Sequence, residues 1–263
     1  MNNEYERTTM TISKASIPIY KRTASSARAD WLVPAALIAL SFIPIAAGVA
    51  RLAGLAGGVA ITPENARFFA MPLPVIIHIV SASVFCILGA FQFARGLRRR
   101  RPGWHRVAGR ILIPCGLAAG LSGLWMTHFY PLSPHLQGDL LYGFRILIGS
   151  AMVISIALSF SAILRRDIAR HRAWMIRGYA IAQGAGTQAL ISILWLMILG
   201  APNELARDLL LIAGWVINLA VAEWIILANR SKSQLHNPLT SKGFPIHHQA
   251  QRATREKLIR EKK

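Results

Sequence analysis

Six blocks of mainly apolar residues, at 31–53, 74–94, 105–129, 140–164, 173–199 and 209–228, each reach the roughly 20 residues that a helix needs to cross a bilayer. A backbone surrounded by hydrocarbon must satisfy its own hydrogen bonds, and a helix does so within one segment. The expected fold is therefore all-α, an integral membrane bundle of six transmembrane helices over 31–229. It is flanked by polar tails at 1–30 and 230–263. Composition agrees, with 54% of the 263 residues apolar and only 16% charged.

The short connections orient the bundle. A net charge of +19 raises the possibility of nucleic-acid binding, but the basic residues are confined to the tails and to alternate loops. The stretches 95–110 (RGLRRRRPGWHRVAGR) and 165–178 (RRDIARHRAWMIRG) share one plan: a basic turn, then His-Arg, then an apolar run holding one more Arg. Together with the tails they place 26 of the 30 Lys and Arg residues on one side, leaving Arg51, Arg67, Arg145 and Arg207 on the other. The positive-inside rule then expects both termini in the cytoplasm, in a bacterial inner membrane, with the basic turns meeting anionic lipid headgroups. Residues 247–263 read as a cationic helix on those headgroups or as a solvated tail. Ala46-Ala47-Gly48 offers a cleavage site for a signal peptide, a reading weakened by the thirty residues ahead of the apolar core. Residues 54–73 read as a loop, with a short helix after Thr62-Pro63-Glu64.

Motifs of soluble enzymes are missing: there is no phosphate-binding loop, nucleophile elbow or HExxH. Cys86 and Cys115 lie within apolar runs, without the spacing of a zinc site, and read as packing thiols.

The stretches 68–93 (FFAMPLPVIIHIVSASVFCILGAFQF), 105–110 (HRVAGR) and 171–181 (HRAWMIRGYAI) resemble a family of bacterial multi-pass membrane proteins catalogued as a domain of unknown function. The likeness covers roughly residues 68–200. It carries His78, Gln92, His105, Arg106, Gly109, Arg110, His171, Trp174, Met175 and Arg177. Members often continue with Thr-Leu-Arg late in the fifth helix, where this chain has Thr187-Gln188-Ala189. The resemblance implies the six-helix fold and no particular reaction.

Ionisable groups inside spans mark candidate sites. Arg110, Arg177 and Glu223 lie at similar depth toward the basic turns, so Glu223 is expected to pair with one of the two arginines. His78 and Arg145 lie toward the opposite side. At 100° per residue, Gly116 and Gly120 follow His105 on one stripe, and Ala182 and Gly186 follow His171 at the same offsets. Gly109 and Gly178 fall on these two stripes.

One reading makes His105 and His171 the opposed axial ligands of a b-type haem for electron transfer. Arg106 or Arg172 would meet the propionates, and Gly109, Gly116 and Gly178 would floor a slot for the macrocycle. This is similar to membrane cytochromes of the b561 type, without a histidine on the fourth helix to oppose His78. A second reading is a transporter or lipid-binding module with a polar path through His78, Arg145 and Gln188. In a third, the His-Arg pairs next to Trp104 and Trp174 are interfacial anchors and no cofactor binds.

Overall fold

The computed structural model describes residues 24–132 and 137–235, and these form nine helices and no strand. In chain order they are α1 (Ala24–Gly57), α2 (Ala66–Ala70), α3 (Pro72–Gln92), α4 (Arg95–Arg100) and α5 (Pro102–Phe129). There follow α6 (Asp139–Leu164), α7 (Ile168–Ala182), α8 (Gly184–Leu199) and α9 (Glu204–Leu235). Six stretches are long and apolar enough to cross a membrane, with α7 and α8 sharing one of them, Ile168–Leu199. The stretch 247–263 lies outside the described residues.

Helix ends differ from the sequence reading for local reasons. α1 begins at Ala24, within the part read as a tail. α5 begins at Pro102, a residue suited to the first helical position because its missing N–H has no partner there. α7 begins at Ile168 because the Asp167 side chain accepts the Arg170 N–H at 2.9 Å. His105 and His171 consequently lie about one turn inside their helices instead of at the edge. The second basic turn closes with Arg166 at φ 61° and the Asp167 N–H donating to the Ala162 carbonyl at 2.9 Å.

α3, α5, α6 and α7 form a closed ring in which each packs on the next and α7 returns to α3. α1 lies against α3 and α8, and α9 against α6, α7 and α8. The ring is filled at mid-height by Phe85, Leu112, Ile156 and Tyr179, all at most 5% exposed. Two glycines admit these knobs. A Cβ on Gly116 would lie 2.6 Å from both Phe85 and Ile156, and one on Gly178 3.1 Å from Ile156.

The fifth span, expected as one helix, is interrupted at Gln183. There a Cβ on Gly184 would lie 2.2 Å from Trp215 of α9, and one on Gly186 2.2 Å from the Leu40 carbonyl oxygen of α1. Glycine at both positions lets three helices meet with their backbones close together.

With six alternating spans, α4, the α6–α7 turn and the ends of α1 and α9 share one face of the bundle, the basic face. The α1–α3, α5–α6 and α8–α9 connections share the far face.

Candidate functional site

The structure brings polar side chains together in two places inside the bundle, one on each side of the Phe85–Ile156 layer. On the basic-face side, the four ring helices contribute Gln92 (α3), His105 (α5), Ser159 (α6) and His171 (α7). Gln92 lies two turns along α3 from Phe85 and on the same face, and its amide N and O are both buried without a hydrogen-bond partner. His105 lies two turns from the buried Leu112, and its Nδ1 is likewise buried without a partner. It is within electrostatic reach of Arg98 and His171. Ser159, fully buried, fixes His171: its hydroxyl is 2.8 Å and its carbonyl oxygen 3.1 Å from Nδ1. A carbonyl only accepts, so Nδ1 carries a proton, and in the neutral ring the lone pair lies on Nε2. Most buried polar atoms in proteins are satisfied, which makes three orphans within one layer notable.

The rim of this layer is strongly cationic. Partial burial, with repulsion from Arg172, Arg95 and Arg99, holds the Arg98 guanidinium below its usual range. Arg106, Arg110 and Arg172 are exposed. Of the two candidate partners for Glu223, the structure selects Arg177. Its Nε donates to Oε1 at 2.5 Å and its Nη2 to Oε2 at 2.8 Å, while its guanidinium stacks 4.6 Å from the Trp174 ring.

The glycines expected to floor a macrocycle slot divide. Gly116 and Gly178 are occupied by Phe85 and Ile156, because core packing has used the space their missing side chains leave. Gly109, one turn from His105, has nothing within 4 Å of where a Cβ would lie. Any group held by the two histidines is therefore confined between the Phe85–Ile156 layer and the basic face.

On the far side lies a cavity of about 460 Å³, lined by residues of α1, α2, α3, α5, α6, α7, α8 and α9. His78 and Arg145 both line it, as expected of a shared polar path, but Gln188 does not. Gln188 donates to the Leu211 carbonyl at 2.6 Å and packs on Gly214, in the α8–α9 interface. Gln183, five residues earlier, takes its place in the cavity wall, together with Arg67 and Tyr130, none of which the sequence reading placed in the polar path. The QGAG run at 183–186 was the available signal, since a polar residue followed by paired glycines marks a break in a span.

At the inner end of the cavity the polar groups satisfy one another. Ser41 donates to Gln183 Oε1 at 3.0 Å, Gln183 Nε2 to the Tyr179 hydroxyl at 2.7 Å, and Tyr179 to the Cys86 carbonyl at 2.7 Å. In the wall, His78 Nδ1 lies 2.9 Å from the Ala119 carbonyl, so it donates there, and in the neutral ring the lone pair lies on Nε2. A Cβ on Gly123 would lie 3.2 Å from that ring, which explains glycine there. At the far rim Arg145 donates to Gln137, and the Tyr130 hydroxyl donates to the Met71 carbonyl at 2.6 Å.

Among the described residues no group of three or more His, Cys, Asp or Glu side chains could hold a metal ion. The bis-histidine layer and the far cavity are the two candidate sites. No curated protein and no solved structure matches the chain. The family model described as predicted membrane protein (DUF2306) matches residues 75–226, which include His78, both basic turns and the Arg177–Glu223 pair. The match spans more than half of the sequence, and the chain belongs to that family of membrane proteins of unknown function.

Proposed function

We propose that the protein is a b-type haem-binding electron-transfer protein of the bacterial inner membrane, in which His105 and His171 would hold the haem iron. The observation that carries the reading is the layer of Gln92, His105, Ser159 and His171, in which three buried polar atoms lack partners on helices that ring a common interior. α5 and α7 lie on opposite sides of the ring, each packed on α6 and α3 between them, and His105 is within electrostatic reach of His171.

The residues fit such a group. A histidine ligand commonly donates its second ring N–H to a carbonyl, as His171 does to Ser159. The open space beside Gly109 leaves room next to His105. Arg98, Arg106 and Arg172 supply cations at the rim for two carboxylates. Bound haem would supply one-electron chemistry. The chain would contribute ligation through its two imidazoles, a hydrogen bond from the Gln92 amide, and a dry apolar wall from Phe85 and Ile156. The same reading keeps both termini in the cytoplasm, with the basic turns on anionic headgroups.

The test is a visible spectrum of protein purified from haem-replete cells. A b-type spectrum lost in both His105→Ala and His171→Ala is expected. A colourless preparation, or a spectrum that survives both substitutions, overturns the reading.

A further inference from the structure

We propose that the far-side cavity is a binding site for an amphiphile with a single oxyanion head, its apolar body inside the bundle and its head at the Arg67–Arg145 rim. This site lies across the Phe85–Ile156 layer from the histidine pair and does not depend on the haem reading.

Size and lining set the class of ligand. Pockets for small organic ligands run from roughly 300 to 1,000 Å³, and this one is about 460 Å³. Its walls are chiefly Ile, Leu, Met and Ala side chains and the backbone of glycines, suited to an alkyl or ring body. The polar groups sort by depth. Ser41 and Gln183 at the inner end are bonded to each other, and Gln183 also to Tyr179, so they have little left to offer a polar head. Free capacity lies in the wall and at the rim, in His78 Nε2 and in the guanidinium groups of Arg67 and Arg145.

The sign of charge at the rim favours an anion. Arg51 and Arg67 lie 4.5 Å and 4.6 Å from the centre of the same Phe68 ring, which holds two like charges near each other. Burial and then Arg51 push the Arg67 guanidinium below its ordinary value, ahead of the compensation from Tyr130 and Glu64. Arg145 is in turn within reach of Arg67 and Arg207, with Asp208 as its acidic neighbour, and Arg207 already engages that carboxylate at 2.7 Å. An oxyanion between Arg67 and Arg145 would relieve this repulsion through charge-assisted hydrogen bonds. A protonated head or a hydroxyl beside it could donate to His78 Nε2. A carboxylate and a phosphate monoester meet these demands equally, so the shared chemistry is the oxyanion on an apolar chain.

The experiment uses the full chain in nanodiscs of neutral phosphatidylcholine and measures equilibrium binding of dodecanoate, dodecyl phosphate and dodecanol. Saturable one-to-one binding of at least one oxyanion is expected, with dodecanol weaker by about tenfold or more, roughly 1.4 kcal/mol. Whichever oxyanion binds more tightly identifies the head, and either satisfies the proposal. Arg67→Gln should weaken the oxyanion and leave dodecanol unchanged. Ala82→Phe, which fills the cavity from α3, should abolish both, and matching thermal unfolding midpoints would show that the variants fold. Equal affinity for dodecanol overturns the charge assignment. Binding that persists in a folded Ala82→Phe, or no binding by folded wild-type protein, overturns the site.

Discussion

Arg177 and Glu223 form a two-pronged ion pair that fastens α7 to α9, with the Arg177 guanidinium also stacked on Trp174 one turn away. The side chains are 22% and 43% exposed and belong to the candidate spans Ile168–Leu199 and Glu204–Ser231. Screening by solvent is therefore weak and an unpaired partner is poorly tolerated. Glu223→Gln is expected to destabilise the detergent-solubilised protein by about 1–3 kcal/mol, between the values for exposed and buried pairs. Adding Arg177→Gln should restore part of the loss. Strict additivity of the two substitutions in thermal unfolding would sink the pairing as a stabilising contact.

The approach of α8 to α1 rests on Gly186, where a Cβ would meet the Leu40 carbonyl oxygen at 2.2 Å. A backbone atom cannot rotate aside, so Gly186→Ala must move α1 or α8. We expect a loss of at least about 1–3 kcal/mol, the range for overpacked cores. Gly143→Ala is the control, because nothing lies within 4 Å of its added methyl. Equal unfolding midpoints for the two variants would contradict the close approach.

Gln92 offers a test of opposite sign. Its amide is buried without partners, so in cofactor-free protein Gln92→Leu should be stabilising, by about 1–3 kcal/mol if the full desolvation penalty is removed. The same variant should lose or perturb whatever the layer binds. A lower midpoint for Gln92→Leu would mean that the amide is satisfied in the membrane.

Topology is open to a direct check. With 26 of 30 basic residues on one side, a reporter fused after Lys263 should be active only if it functions in the cytoplasm. Periplasmic activity at that position would reverse the orientation.

The six spans were legible in the sequence because spanning depends on local quantities, the length and polarity of one segment at a time. Depth was legible for the same reason: Glu223, Arg110 and Arg177 could be ranked by distance from the helix ends. Direction around the axis was not. Both arginines were equally placed by depth, and only the packing of α7 against α9 selected Arg177. Gln188 and Gln183 are five residues apart, about 140° around a regular helix, and the break at Gln183 altered even that relation. Gly116 looked like the floor of a slot because the sequence shows what a residue lacks and never what fills the gap. Phe85 and Ile156, from two other helices, filled it. The chain by itself determined how many spans form, where they end to within several residues, and which polar groups share a level. Tertiary structure decided which of those groups face one another and where space is left over, because close packing is settled jointly by side chains far apart in sequence.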